Sequence, residues 1–223
     1  MDSFDQFAQD YKNILDGTLT LSGETGSYFA NYKAAYVARS VGGDFSGKVL
    51  DYGCGVGLLA QVLLEKMPLA QVHGYDVSPV SIEHIPAHLK QQGLFTANAN
   101  ELKAGQYDLI VVANVMHHVE PHQRQGVIAS LKGLLRKGGG LIIFEHNPLN
   151  PLTRRVVRES PLDKGVVLLP RAEVCQYLTS AGLGPAHVDY IVFFPKPLSF
   201  LRWAEVFLQW CPLGAQYVAR GGV

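Results

Sequence analysis

The amino-acid sequence predicts a doubly wound α/β fold built on a mostly parallel sheet, and three observations carry that prediction. Short apolar runs alternate with helical periods between Lys48 and Glu145. The runs are apolar throughout, as in strands covered on both faces, and not on every second residue. With 223 residues, 48% of them apolar and 17% charged, the chain is long enough to bury one large core without disulfides or metal.

The elements follow in order. Phe4, Phe7, Ala8, Tyr11, Ile14 and Leu15 recur at helical steps, as do Phe29, Tyr32, Tyr36, Val37 and Val41, and Gly42-Gly43 ends the second helix. These form an N-terminal helical unit, residues 1–46, ahead of a core over 47–223. Strands are expected at Lys48–Tyr52, Gln71–Tyr75, Leu94–Thr96, Tyr107–Ala113 and Leu141–Glu145. Helices are expected at Leu58–Lys66, Pro79–Lys90 and Pro121–Lys137, with Pro121 at a helix start and Gly138 just past its end. Beyond Glu145, Asn150-Pro151 supplies a cap and a first helical residue for a short basic helix. A further helix runs from about Pro170 to Ala181, closed by Gly182. Two strand-like pieces, His187–Phe194 and Gly214–Ala219, complete seven strands as an antiparallel hairpin with a helical insertion at about 195–212.

Composition narrows the function. Nineteen basic residues balance nineteen acidic ones, without the surplus that nucleic-acid binders use to displace counterions. Cys54, Cys175 and Cys211 are too few and scattered for a disulfide framework or a cysteine zinc site. The acidic start MDSFDQFAQD is no signal peptide, and Ile191 to Leu213 is broken by Lys196, Arg202, Glu205 and three prolines. A cytoplasmic protein is expected, with no transmembrane segment.

The segment Val49 to Ala60 is strand, glycine turn and helix, and it places glycines at the carboxyl edge of the sheet, where open α/β sheets bind ligands. Its Gly53-x-Gly55-x-Gly57 spacing differs from a dinucleotide fingerprint, whose third glycine falls where Leu58 stands. Asp51, two residues before Gly53, would repel a pyrophosphate and attract an amino group. Asp76, at the end of the second strand, is placed to accept hydrogen bonds from both hydroxyls of a ribose.

With these residues the chain resembles the class I S-adenosylmethionine-dependent methyltransferases. LDYGCGVG, VHGYDVSP, YDLIVVANVMHHVEP and LLRKGGGLIIFEHNP match that family's motifs over about Lys48 to Glu145. The resemblance implies a Rossmann-like methyltransferase fold and S-adenosylmethionine as co-substrate. Gly53, Gly55 and Gly57 would line its methionine part, Asp51 its amino group and Asp76 its ribose. Contacts from Cys54, Val77, Ala99, Ala113 and Asn114 are implied as well. Where the family often has Gly-Asp-Ala this chain has Ala97-Asn98-Ala99, and the Asn98 amide oxygen can still accept from adenine. The N-terminal helices would form a lid, bringing Tyr11 and Tyr28 to the sulfonium.

An acceptor hydroxyl or amine must lose a proton, and histidine suits that task near neutral pH. His118 and His117, after the fourth strand, and His146, after the fifth, are the candidate catalytic residues, with loop packing and capping as the competing roles. Lys33 could reach the co-substrate's carboxylate, although a solvated helix face fits it better. His84 and His88 stand four apart but lack a third ligand, so no metal is expected.

The aromatic segment from Phe193 to Trp210 offers a wall for an apolar acceptor, a core cover, a subunit contact or a peripheral membrane contact. Arg154, Arg155 and Arg158 are read as a solvated face. The function expected is methyl transfer to a small, apolar organic acceptor, oxygen before nitrogen or carbon, by a monomer or homodimer. The alternative is a non-catalytic sensor or subunit that binds the same co-substrate. A nicotinamide dehydrogenase is disfavoured by Leu58 and Asp51.

Overall fold

The computed structural model describes Gly17 and residues 23–222. The helix expected around Phe4–Leu15 lies outside the described residues. Seven strands form one sheet in the order β3-β2-β1-β4-β5-β7-β6. They are β1 (Lys48–Tyr52), β2 (Gln71–Tyr75), β3 (Phe95–Thr96), β4 (Tyr107–Ala113), β5 (Leu135–His146), β6 (His187–Ile191) and β7 (Gln216–Gly222). All pairings are parallel except those of β7, which runs antiparallel to both β5 and β6.

Successive residues of a strand face opposite sides, so apolar runs build two cores at once. Leu50, Ile110, Val112, Leu141 and Ile143 meet Ile128 and Leu131 of α5 (Arg124–Leu134) and Val174 and Leu178 of α7 (Arg171–Ser180). Val49, Leu109, Val111, Ile142 and Phe144 pack on the other face. Their partners are Ala30, Ala34 and Val37 of α1 (Gly26–Val41) and Ala60 and Leu63 of α2 (Leu58–Lys66). Gly42 caps α1, as the paired glycines predict.

Two expected helices change shape. The span Pro79–Lys90 divides into α3 (Pro79–Glu83) and α4 (Ala87–Gln92), because Pro86 cannot continue the first helix and caps the second. The span Pro121–Lys137 opens with a 3₁₀ turn, Pro121–Gln123, and its α-helix stops at Leu134. Leu135 already pairs with Tyr107, and the next pair in register is Leu109 with Gly140. Arg136 to Gly139 therefore bulge from the ladder, with Gly138 at φ +79°. Arg136 bridges to Asp108 there.

After β5, Asn150 caps α6 (Pro151–Glu159) by accepting from the Thr153 amide at 3.0 Å, as the Asn-Pro pair predicts. Its Nδ2 donates to the Leu213 carbonyl at 2.7 Å, which fixes α6 beside the start of β7. The β6–β7 hairpin carries the expected insertion as a 3₁₀ stretch, Lys196–Phe207. Buried Glu205 ties it down, accepting from Tyr32 Oη and from the amides of Phe193 and Phe194. No helix among the described residues is long and apolar enough to cross a membrane.

Candidate active site

The parallel strands bring Tyr52, Tyr75, Ala113 and His146 to one edge of the sheet, together with Gln216, the first residue of antiparallel β7. A cavity of about 360 Å³ opens at that edge. Its cover is Gly26, Phe29, Ala30 and Lys33 of α1 on one side and Val156, Ser160, Leu162 and Asp163 of α6 and the following loop on the other.

The glycine turn forms one wall. The Gly53 and Cys54 amides donate to the Tyr75 carbonyl at 2.7 and 3.0 Å, tying β1's exit to that of β2. Gly53 has φ +80°, and a Cβ there would lie 2.3 Å from Val115 Cγ2, so only glycine fits. Gly55 has φ +51° and open space where a Cβ would be. Asp76 Oδ2 accepts from the Gly55 amide at 2.8 Å and Oδ1 from the Ser78 amide at 2.9 Å, so this carboxylate shapes the turn. Each oxygen keeps acceptor capacity for a ligand hydroxyl.

Asp51 is 1% exposed and its Oδ2 has no hydrogen-bond partner. Burial, then the neighbouring Asp76 charge, pushes its carboxyl up to about 7 against the opposing pull of Lys33. Asn114 Oδ1 and Gln216 Oε1 are likewise buried without partners. These three acceptors, together with the unpartnered Ser160 hydroxyl, belong to residues that line one cavity, and they favour a ligand that brings donors, foremost an ammonium group. Lys33 is 7% exposed, and burial pushes its ammonium down to about 8 even though the charges of Glu145 and Asp51 hold it up.

The histidines occupy three different settings. His117 is buried, with Nδ1 2.6 Å from Glu145 Oε2 and Nε2 3.3 Å from Asp163 Oδ1. Burial alone would push it down, but the two carboxylates outweigh burial and hold it up at about 9. Burial opposes ionisation of Glu145 and of Asp163, yet the histidines facing them hold both below the usual carboxylate range. His118 lines the cavity with Nε2 3.4 Å from the same Asp163 oxygen. His146 is pushed down to about 4 by burial and by His117, so it is a neutral ring. The Asn114 amide Nδ2 donates toward its Nε2 at 3.4 Å.

Of the residues singled out in the sequence, the cavity gathers Asp51, Gly53, Cys54, Gly55, Asp76, Val77, Ala113, Asn114, His118 and His146. Tyr11 lies outside the described residues. Others stand off the wall. Gly57 is the left-handed N-cap of α2, and its missing Cβ faces Leu89 and Ile85 behind the turn. Cys54, although in the lining, packs with Ile85 and Leu89, and burial pushes its thiol up. Asn98 turns its amide oxygen to the Asn100 amide at 3.1 Å, and both Asn98 and Ala99 are exposed. Tyr28 stacks on the Arg202 guanidinium at 4.4 Å instead of facing the cavity. His117 is not in the cavity lining, and both of its ring nitrogens face carboxylates instead of the acceptor space.

Two readings change. Lys33 lies within the cavity, not on a solvated face. The aromatic segment does not line the cavity: Phe193 packs on the core, whereas Trp203 is 72% and Trp210 77% exposed. Ser160, Asp163 and Gln216 carry no local motif and reach the wall through contacts distant in sequence.

Asp76→Ala is expected to weaken binding of a nucleoside ligand by about 1–3 kcal/mol. Calorimetry on the folded variant checks this, and unchanged affinity would remove Asp76 from the ribose site.

Comparison with known proteins agrees with this geometry. A family model described as a methyltransferase domain matches residues 50–141. The chain is 34% identical over 122 residues to ribosomal protein L11 methyltransferase of Dechloromonas aromatica, covering 50% of this chain and 40% of that one. It is 30% identical over 122 residues to ubiquinone biosynthesis O-methyltransferase of Escherichia coli, covering 52% and 49%. The chain thus spans half or less of the length of these curated relatives. Among solved structures, a SAM-dependent methyltransferase from Archaeoglobus fulgidus superposes with a TM-score of 0.65 at 12% identity, over 86% of this chain and 93% of that one. Residues 50–141 thus match a methyltransferase domain, and the fold is one that the chain shares with solved S-adenosylmethionine-dependent methyltransferases.

Proposed function

We propose that the chain transfers a methyl group from S-adenosylmethionine to a small organic acceptor, at oxygen before nitrogen or carbon. The observation that carries this reading is the set of orphaned acceptors, Asp51 Oδ2, Asn114 Oδ1 and Gln216 Oε1, in one cavity beside the glycine turn. A diphosphate brings no donors to them and would meet the charge of Asp51. An α-amino group satisfies them.

In this reading Asp51 receives the amino group of the co-substrate and Lys33 its carboxylate. The open face of Gly55 lets the backbone approach the ligand, and Asp76 takes the ribose. When bound, the co-substrate supplies an activated methyl on a sulfonium, which departs as a neutral thioether. The chain's own task is then to position the acceptor and exclude water.

Val119, Val156 and Leu162 offer apolar contact for the acceptor, and His118, His146 and Asp163 form the polar wall beside them. The acceptor's proton leaves toward that wall, where the Asp163 carboxylate polarises His118. The lid role assigned to the N-terminal unit falls to α1, which contributes four residues to the cavity cover.

Turnover with methyl-labelled co-substrate against phenols, aliphatic alcohols, amines and carboxylic acids tests the proposal. Label is expected in a hydroxyl acceptor. Tight binding of S-adenosylhomocysteine with no acceptor-dependent turnover across the panel would instead favour a sensor.

A further inference from the structure

The pair His117-His118 meets Asp163 in a way that hydrogen bonding alone does not account for. The Glu145–His117 contact is short, at 2.6 Å. The two contacts to Asp163 Oδ1 are both long, at 3.3 Å from His117 Nε2 and 3.4 Å from His118 Nε2. A charge-assisted bond between an imidazolium and a carboxylate runs about 2.7–2.9 Å. Nitrogen and oxygen ligands about 2.0–2.2 Å from a tetrahedral zinc ion, by contrast, stand roughly 3.3–3.6 Å apart. The three ligand atoms lie within 4.8 Å of one another, so one ion could touch all three.

We propose that His117 Nε2, His118 Nε2 and Asp163 Oδ1 form a binding site for a divalent transition-metal cation of the zinc class. Glu145 completes the arrangement from outside the coordination sphere. By accepting from Nδ1 of His117 it fixes the proton on that nitrogen and turns Nε2, as a lone-pair donor, toward the ion. The Glu145 oxygen that does not touch His117 accepts from the Met116 amide at 2.8 Å, so the carboxylate itself is held.

Three protein ligands leave a fourth position open, the pattern of catalytic zinc sites. His118 and Asp163 both line the large cavity, so that position faces the space assigned to the acceptor. Entry is available from a second hollow of about 240 Å³ bordered by His117, His118 and Lys164 to Val167. With His118 and Asp163 engaged by the ion, an acceptor hydroxyl bound at the open position would lose its proton to water in place of His118, and more readily, which makes it a better nucleophile. In this respect the inference rests on the proposed methyl transfer and deepens it.

The test is titration of the chelator-treated protein with Co²⁺, read by visible absorption. The expected result is one Co²⁺ per chain with the intense ligand-field bands of a four-coordinate ion, displaced by Zn²⁺. Asp163→Asn and His118→Gln are expected to weaken the affinity at least tenfold, and Glu145→Gln about tenfold. His84→Ala, which alters an exposed histidine elsewhere, is expected to change nothing. Only the weak spectrum of hydrated cobalt, or binding that survives both ligand substitutions in folded protein, would overturn the site. Calorimetry with S-adenosylhomocysteine on the same metal-free protein separates the two claims, because the co-substrate site stands or falls there without any metal.

Discussion

Replacing Glu145 by alanine is expected to lower the free energy of unfolding by about 3–5 kcal/mol, the cost of breaking a buried ion pair by removing one partner. Glu145 is fully buried, its two oxygens accepting from His117 Nδ1 and from the Met116 amide. The truncation strands both donors and leaves a cavity at the end of β5. In a domain of this size each kcal/mol moves the midpoint by about 2–4 °C, so thermal denaturation is expected to shift down by roughly 6–20 °C. Glu145→Gln keeps an acceptor and is expected to fall between wild type and alanine. A midpoint for Glu145→Ala within about 2 °C of wild type would mean that the buried pair contributes little to the fold.

Asp51→Asn is expected to weaken S-adenosylhomocysteine binding by about ten- to a hundredfold, the usual value of a charged hydrogen bond in a buried site. The pH dependence separates this effect from simple damage. Asp51 is held up at about 7, so its anionic form dominates only above that pH. The protonated carboxyl cannot pair with an ammonium. The dissociation constant therefore rises as pH falls below about 7, approaching tenfold per pH unit. In Asp51→Asn that acid limb is expected to vanish, because no proton competes with the ligand. Calorimetry at several pH values between 5.5 and 8 reads both effects, and an equal slope in the two proteins would take Asp51 out of the amino-group site.

How far the sequence revealed the molecule depended on the range of the interactions. The bounds of β1, α2, β2 and β4 match the expected spans because each is an apolar run or helical period punctuated locally by glycine or proline. Helix α5 ends before Lys137 because Leu135 is captured by Tyr107 in the neighbouring strand, a sheet contact that outweighs helical preference. The glycine turn and Asp51 were legible as a site because their chemistry is contiguous. Lys33 was not: a lysine on a helix reads as surface unless the two carboxylates that offset its burial, Asp51 and Glu145, are known to face it. Asp163 and Gln216 were hidden for the same reason. The aromatic insertion misled in the opposite direction, since its composition reads as a pocket wall while Trp203, Phe207 and Trp210 stand in solvent. Glu205 shows why they do so. The insertion is anchored by its one buried carboxylate and by the Arg202–Glu24 pair at 2.6 Å, so its rings are not needed to hold it.

A crystal structure of the chain soaked with S-adenosylhomocysteine tests the central claim most directly. The amino group is expected within hydrogen-bond distance of Asp51 Oδ2, with the ribose hydroxyls on Asp76. A nucleoside absent from the cavity, or one whose amino group points away from Asp51, would contradict the account.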